Sequence, residues 1–475
     1  MASNIPLSFV TRWKGLLLSK EQEQRNDFPF YDNPDGSLVT QCTPRSIRTG
    51  SGVSIFKEGL LPAIATAQHE VILVTCFWAN SPTLAALKGT LEKLAETRKS
   101  WPESGGAARH PLRVHIGFSS RSVFQKLFHT WSRDGYVYPP KSWSKLGLPD
   151  ENVLREGNIE LTVKSLFFLP FSVMHPKYLV VDRRRAWMPS CNVSWEVWFE
   201  TCVEFDGPAI DALLGFHSRV WDRTATRRVE WGRDMAANDG AVRQENGSGS
   251  RPPNSAQVVY RFPESAVPAI LLPSSHHQNP RFQLPFLRPL SVPTTPLNTA
   301  VLTLIENAER FVQITTPNLT CQAVMDALLL ALQRGVTVHI RTSKNMMVLE
   351  QLVTAGTTTA WCVKSFIKRY KRLCSPASDG GDVEMARLRP GHLKIMYYKP
   401  DLHSSEAGQK DPGEPVVSHV KMVQVDGEYL VLGSGNMDRA SWYTSQELGI
   451  MFYMPGFEDL WSRPLETRLA VVFEG

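Results

Sequence analysis

The sequence has little cysteine, little net charge and no long apolar run, and each shortage removes a class of protein. Its 475 residues include seven cysteines, Cys42, Cys76, Cys191, Cys202, Cys321, Cys362 and Cys374. They form no C-x-x-C pair, their number is odd and most sit among apolar neighbours. That pattern excludes a disulfide framework or a zinc site and predicts reduced thiols in an intracellular protein. The longest apolar stretches, Val71 to Ala79 and Ser165 to Met174, reach about half the length a membrane-spanning helix requires. Met1 to Ser19 lack the basic region, apolar core and cleavage site of a secretory signal. The expected location is therefore cytoplasmic or peripheral to a membrane, with no signal peptide and no transmembrane helix. A formal charge of +6 is compatible with anionic substrates or a lipid surface, but it is too scattered to mark a nucleic-acid channel. What is present is a core: 42% hydrophobic and 10% aromatic residues argue against a mainly disordered chain.

The organisation repeats. Residues 1–50 read as a polar, turn-rich extension, with a strong loop signal at Asp32 to Gly36. Ordered structure is expected from about Ser51. Glu70 to Trp78 reads as a buried parallel strand, Leu84, Leu87, Leu91 and Leu94 line one face of a helix, and Leu112 to Ile116 returns as a strand. This βαβ unit predicts an α/β fold with a parallel sheet. Arg310 to Thr316, Cys321 to Arg334 and Val336 to Ile340 follow the same order, and Ser119 and Ser343 fall at equivalent places. An internal duplication accounts for both sets. The expected units are an extension at 1–50, a first repeat at 51–232, a flexible or irregular linker at 233–296 and a second repeat at 297–475. Within that linker, Ala236 to Ala256 is rich in Gly, Asn, Ser and Pro, and Pro268 to Pro296 is proline-rich; Ser375 to Asp382 reads as a loop-like insert.

Each repeat ends in the same constellation. The first holds His175-Pro-Lys177, then Asp182, then Pro189-Ser190-Cys191-Asn192; the second holds His419-Val-Lys421, then Asp426, then Gly433-Ser434-Gly435-Asn436. Both continue into Ser-Trp and a glutamate, Glu200 or Glu447. On a strand, His and Lys two residues apart project to one face, so both can reach one phosphate. Two lysines and two asparagine amides converging on a phosphodiester would stabilise the charge that builds on its oxygens during displacement. Two histidines suit double displacement, one attacking phosphorus and one handling the proton of the leaving alcohol.

This arrangement resembles the H-x-K-x4-D-x6-G-S-x-N signature of the phospholipase D superfamily, over most of the chain from about Ser51. The resemblance implies a duplicated α/β fold of two mixed, mainly parallel sheets flanked by helices, with one active site at the pseudo-twofold interface. It implies phosphodiesterase or phosphatidyltransferase chemistry of the phospholipase D or cardiolipin-synthase type, acting on phospholipid through a phosphohistidine. His175, Lys177, Asp182, Asn192, His419, Lys421, Asp426 and Asn436 would be catalytic, with Ser190, Glu200, Ser434 and Glu447 supporting. His175 is implied as nucleophile and His419 as acid/base, although the residues themselves are symmetric on that choice. Acids from the motifs or just downstream (Asp182, Asp426, Glu200, Glu447) would hold the rings. No metal or other cofactor is implied, because Lys177 and Lys421 supply the positive charge, and a monomer suffices with both motifs in one chain. Pro189 departs from the motif glycine, and Pro176 cannot donate to a ladder, which leaves the role of Ser190 in doubt.

Other histidines and basic runs read more plainly. His115 and His339 are core residues, and His392-Leu-Lys394 is an ordinary strand because Lys399 occupies the place of the motif aspartate. His276-His277 lacks nearby carboxylates and thiols. Arg183 to Arg185 forms a solvated turn, Trp187, Trp195, Trp198 and Trp442 read as core, and Lys364 to Arg372 reads as a surface helix that could meet anionic headgroups. Two alternatives compete with a phospholipid enzyme. One is a nucleic-acid phosphodiesterase; the resembled small nucleases carry one motif and dimerise, and tyrosyl-DNA phosphodiesterases lack the motif aspartate. The other is a non-catalytic binding protein that keeps the fold.

Overall fold

A computed structural model of the chain describes residues 4–18, 38–100, 110–122, 125–126, 129, 134–168, 172–222, 258–276, 291–375, 389–400, 414–457, 463–466 and 468–475. The loop at Asp32 to Gly36, the linker from Ala236 to Ala256, His277 and nearly all of the insert at Ser375 to Asp382 lie outside the described residues.

The apolar run at Glu70–Phe77 forms a strand buried along nearly its whole length. It lies parallel to Leu112–Ser120, which lies parallel to Ile159–Ser165. The helix Pro82–Ser100 crosses between the first two strands and buries Leu84, Leu87, Leu91 and Leu94, as their spacing predicts. On the other side of Glu70–Phe77 come three antiparallel neighbours in turn, Tyr178–Val181, Arg185–Pro189 and Phe199–Asp206. The second half has the same order and directions. Phe311–Thr316, Thr337–Thr342 and Leu393–Tyr398 are parallel, and Met422–Val425, Tyr429–Gly433 and Glu447–Tyr453 follow antiparallel. His392-Leu-Lys394 opens the strand Leu393–Tyr398, away from both motifs in the pairing order.

The two halves share one continuous mixed sheet, where two sheets were expected. The link is Val39–Ser51. Its first residues pair with Val267–Ile270, and from Thr43 onward it pairs with Phe199–Asp206. Val267–Ser274 pairs in turn with Glu447–Tyr453. Order thus begins well before Ser51. The reading of 1–50 as polar extension failed because the buried positions of this strand mix Cys42 and Ile47 with Pro44, Ser46, Thr49 and Gly50 instead of forming an apolar alternation. Leu7–Leu18 is also helical, with Phe9, Trp13 and Leu17 buried at four-residue spacing and Trp13 Nε1 donating to Pro296 O at 3.0 Å. Val267–Ser274 corrects the irregular connection in the same way. Pro268 and Pro273 masked the run Ala269 to Leu272, in which every side chain is fully buried. Among the described residues, no helix is long and apolar enough to cross a membrane.

Candidate active site

Neither motif histidine sits on a regular strand. Each lies in a short extended link before its strand, Tyr178–Val181 or Met422–Val425, so the expected strand geometry holds only for the apolar residues that follow. What fixes each link is the opposite half. His175 N donates to Gln446 O at 3.1 Å, and His419 N donates to Phe199 O at 2.8 Å. Gln446 and Phe199 are the residues just before Glu447 and Glu200. The backbone pairing therefore sets each histidine beside the glutamate of the other half. His175 Nδ1 lies 2.9 and 3.0 Å from the Glu447 oxygens, and His419 Nδ1 lies 2.9 and 3.0 Å from those of Glu200. The serines behind them match too: Ser190 Oγ donates to Glu200 and Ser434 Oγ to Glu447, both at 2.5 Å. Pro189 has not disturbed Ser190, which also takes the Thr201 N–H at 2.8 Å. At Gly433 a side chain is impossible, since a Cβ there would come within 2.4 Å of Leu448 O.

The four acids divide into two kinds. The motif aspartates face away from the rings and close turns. Asp182 accepts from the backbone N–H groups of Gln68, His69 and Glu70 at 2.7–3.2 Å, and Asp426 from those of Glu309, Arg310 and Phe311 at 2.8–3.0 Å. Both adopt left-handed backbone, φ 51° and 56°, which Asp tolerates better than most residues. The expectation that these aspartates help hold the rings is corrected: the carboxylates beside the imidazoles belong to the glutamates. Asp182→Ala and Asp426→Ala are thus expected to cost stability, about 3 kcal/mol each from three charge-assisted bonds per carboxylate. Thermal melts should fall while kcat of the remaining folded protein stays near normal. A large loss of kcat with an unchanged melt would assign them to the chemistry.

The asparagines also differ from one another. Asn192 Oδ1 accepts from Phe77 N at 3.2 Å, whereas Asn436 Nδ2 donates to Asp438 Oδ2 at 3.0 Å. Lys177 Nζ and Lys421 Nζ each return to the carbonyl of their own histidine, at 2.9 and 2.6 Å, and both lysines are buried.

Residues 301–467 match the family described as cardiolipin synthase, PLD-like domain. The matched segment lies in the second half and includes His419, Lys421, Asp426 and Asn436. Among solved structures, a phosphatidylserine synthase from Haemophilus influenzae is similar over 92% of this chain and 90% of its own, at 13% identity and a TM-score of 0.51. A phospholipase D family member, Nuc, from Salmonella typhimurium covers 34% of this chain and 78% of its own, at 16% identity and a TM-score of 0.23. No curated protein matches the chain.

Burial and neighbouring charges shift the groups of this site. Burial lowers the pKa of His175, Glu447 opposes that, and Lys177 and Lys421 reinforce it. His419 is driven well below its ordinary value by burial and then by both lysines. Lys421 is lowered for the same reason, with Glu200 opposing. The glutamates respond oppositely. Burial pushes Glu200 up to about 7 against the pull of Lys421 and Ser190. Glu447 is also penalised by burial, but the His175 interaction and the Ser434 and Ser441 hydroxyls leave it below the usual carboxylate range.

Sequence reasoning missed several supporting residues. Ser119 and Ser343, noticed only as repeat markers, brace the residue before each histidine: Met174 N donates to Ser119 Oγ at 2.8 Å, and Ser343 Oγ donates to Ser418 O at 3.0 Å. Trp198 leans over the His419 ring, centroids 4.7 Å apart. Trp195 is 56% exposed and so is not core, while Trp187 and Trp442 are buried. Arg183 does lie in an exposed turn, but its guanidinium forks onto Glu70 at 2.7 and 3.2 Å.

Proposed function

We propose that this chain is a phospholipase D-type phosphodiesterase or phosphatidyltransferase acting on phospholipid, with His175, Lys177, His419 and Lys421 in one active site. The observation that carries this reading is the exchange of glutamates, in which neither histidine is oriented by its own half. Burial and the nearby Lys177 disfavour the charge of Lys421, and a phosphodiester between the two lysines would offset that penalty. Phospholipid is favoured over nucleic acid by the description of the matched family and by the phosphatidylserine synthase neighbour.

The acids support a division of labour. An ionised Glu447 can only accept, so His175 Nδ1 carries hydrogen and Nε2 presents a lone pair to phosphorus. Attack forms the N–P bond and breaks the P–O bond to the leaving alcohol, which takes a proton from His419. In the second half-reaction His419 removes a proton from water or an acceptor alcohol, whose oxygen attacks phosphorus as the N–P bond breaks. Glu200, raised to about 7, keeps an extra proton in the Glu200–His419 pair near neutrality. That proton is lost as pH rises through about 7, so kcat for a substrate with a poor leaving group should fall on the alkaline side with that apparent pKa. A good leaving group departs unprotonated, and the limb should vanish; a limb equal for both substrates would remove His419 from the acid role.

The test of the function is incubation with labelled phosphatidylcholine, phosphatidylglycerol and single-stranded DNA, with and without a primary alcohol. Phospholipid turnover, diverted to a transfer product by the alcohol, is the expected result. Cleavage of DNA alone would replace the substrate class. Because Lys177 and Lys421 supply charge at the site, turnover should survive chelator; loss in chelator restored by zinc or magnesium would overturn that expectation.

A further inference from the structure

We propose that the helix Val348–Ala355, with the exposed face of the next helix, Thr359–Cys374, docks the protein onto an anionic phospholipid bilayer at the rim of the active site. This rests on the reading above that the substrate is a phospholipid. Val348–Ala355 is inside out. Its apolar side chains face solvent, Leu349 77% and Val353 64% exposed, and its buried residue is the polar Gln351. An ordinary surface helix turns its apolar stripe to the core, so a contiguous outward patch marks a surface that something covers.

The polar inner side ties this helix to the site. Gln351 Nε2 donates to Asn318 Oδ1 at 2.9 Å, and Gln351 Oε1 accepts from Thr359 N at 2.6 Å, which anchors the following helix as well. Asn318 Nδ2 reaches Asp438 at 3.5 Å, and Asp438 holds the amide of Asn436. Two side chains therefore separate the apolar helix from the second motif.

The chemistry of the next helix identifies the occupant. Cys362, Val363, Phe366 and Tyr370 are buried, and the opposite side presents Trp361, 59% exposed, followed by Lys364, Lys368 and Lys371 at helical spacing. The helix contains no acidic residue. An exposed apolar helix followed in sequence by one that presents a tryptophan and a stripe of lysines matches a headgroup boundary, where the apolar part enters and the ammonium groups meet phosphate. A protein partner fits poorly, because interface cores are depleted in lysine.

Flotation of the full-length chain tests this with vesicles of phosphatidylcholine alone or mixed with phosphatidylglycerol. The wild type should float with the anionic vesicles. The double variants Leu349→Glu/Val353→Glu and Lys364→Glu/Lys368→Glu should each lower the bound fraction about tenfold or more. Both should turn over a soluble short-chain phosphodiester at the wild-type rate. Leu349→Ser/Val353→Ser is the milder pair should the glutamates unfold the helix. Docking is overturned if the wild type stays unbound, if the variants float like the wild type, or if the substitutions abolish only self-association seen by sedimentation. If flotation behaves as expected but no phospholipid is turned over, docking stands and the assignment of the substrate falls separately.

Discussion

Replacing either His175 or His419 with alanine is expected to lower turnover by about four orders of magnitude or more, and the double variant should be little worse than either single one. The reason lies in the geometry of exchange. His175 is set by Glu447 and by Gln446 O, and His419 by Glu200 and Phe199 O. Each half therefore holds one histidine and positions the other, and no half contains a complete apparatus. Losing the nucleophile leaves no route to the covalent intermediate, and losing the acid leaves an alkoxide to depart unprotonated. The same logic extends to Glu447→Gln and Glu200→Gln, each of which should depress the rate through the histidine of the opposite half. Steady-state kinetics on a phosphodiester with a poor leaving group, beside thermal melts, reads the effect directly. Near-normal activity in one histidine variant would mean that a single motif suffices, and the joint site would be abandoned.

Acid quenching during turnover, followed by peptide mapping, is expected to recover phosphoryl label on His175. The two histidines are chemically alike, and the distinction comes from their acids. Glu447 sits below the usual carboxylate range, which favours the tautomer with a free Nε2 on His175, whereas Glu200 is held up near 7 and keeps a proton with His419. His419→Ala should still form the adduct from a substrate with a good leaving group, since protonation is then unnecessary, and should accumulate it because the second half-reaction has lost its base. His175→Ala should form none. Label on His419, or an adduct that survives in the His175 variant, would exchange the two roles and leave the reaction class unchanged.

The fold and the cast of the site were legible in the residues to different depths. Local periodicity was enough for Glu70–Phe77, for the leucine stripe of Pro82–Ser100 and for their counterparts in the second half, because each buries a face that its own spacing defines. The paired His-x-Lys signatures were equally plain, since their spacing is short. Which acid serves which histidine was not, because Glu447 and His175 are hundreds of residues apart in sequence and meet only through a backbone bridge between halves. The aspartates looked catalytic because they stand in the motif, yet a three-donor turn takes up each carboxylate. Val39–Ser51 and Val267–Ser274 escaped notice because polar inward residues and two prolines blur their alternation, and only long-range pairing makes them strands. The composition of Val348–Ala355 likewise does not say which side faces out. By itself the sequence determined the elements that bury their own stripes and the chemical groups available; the tertiary structure decided which groups meet and which apolar face stays outside, because both depend on contacts between segments distant along the chain.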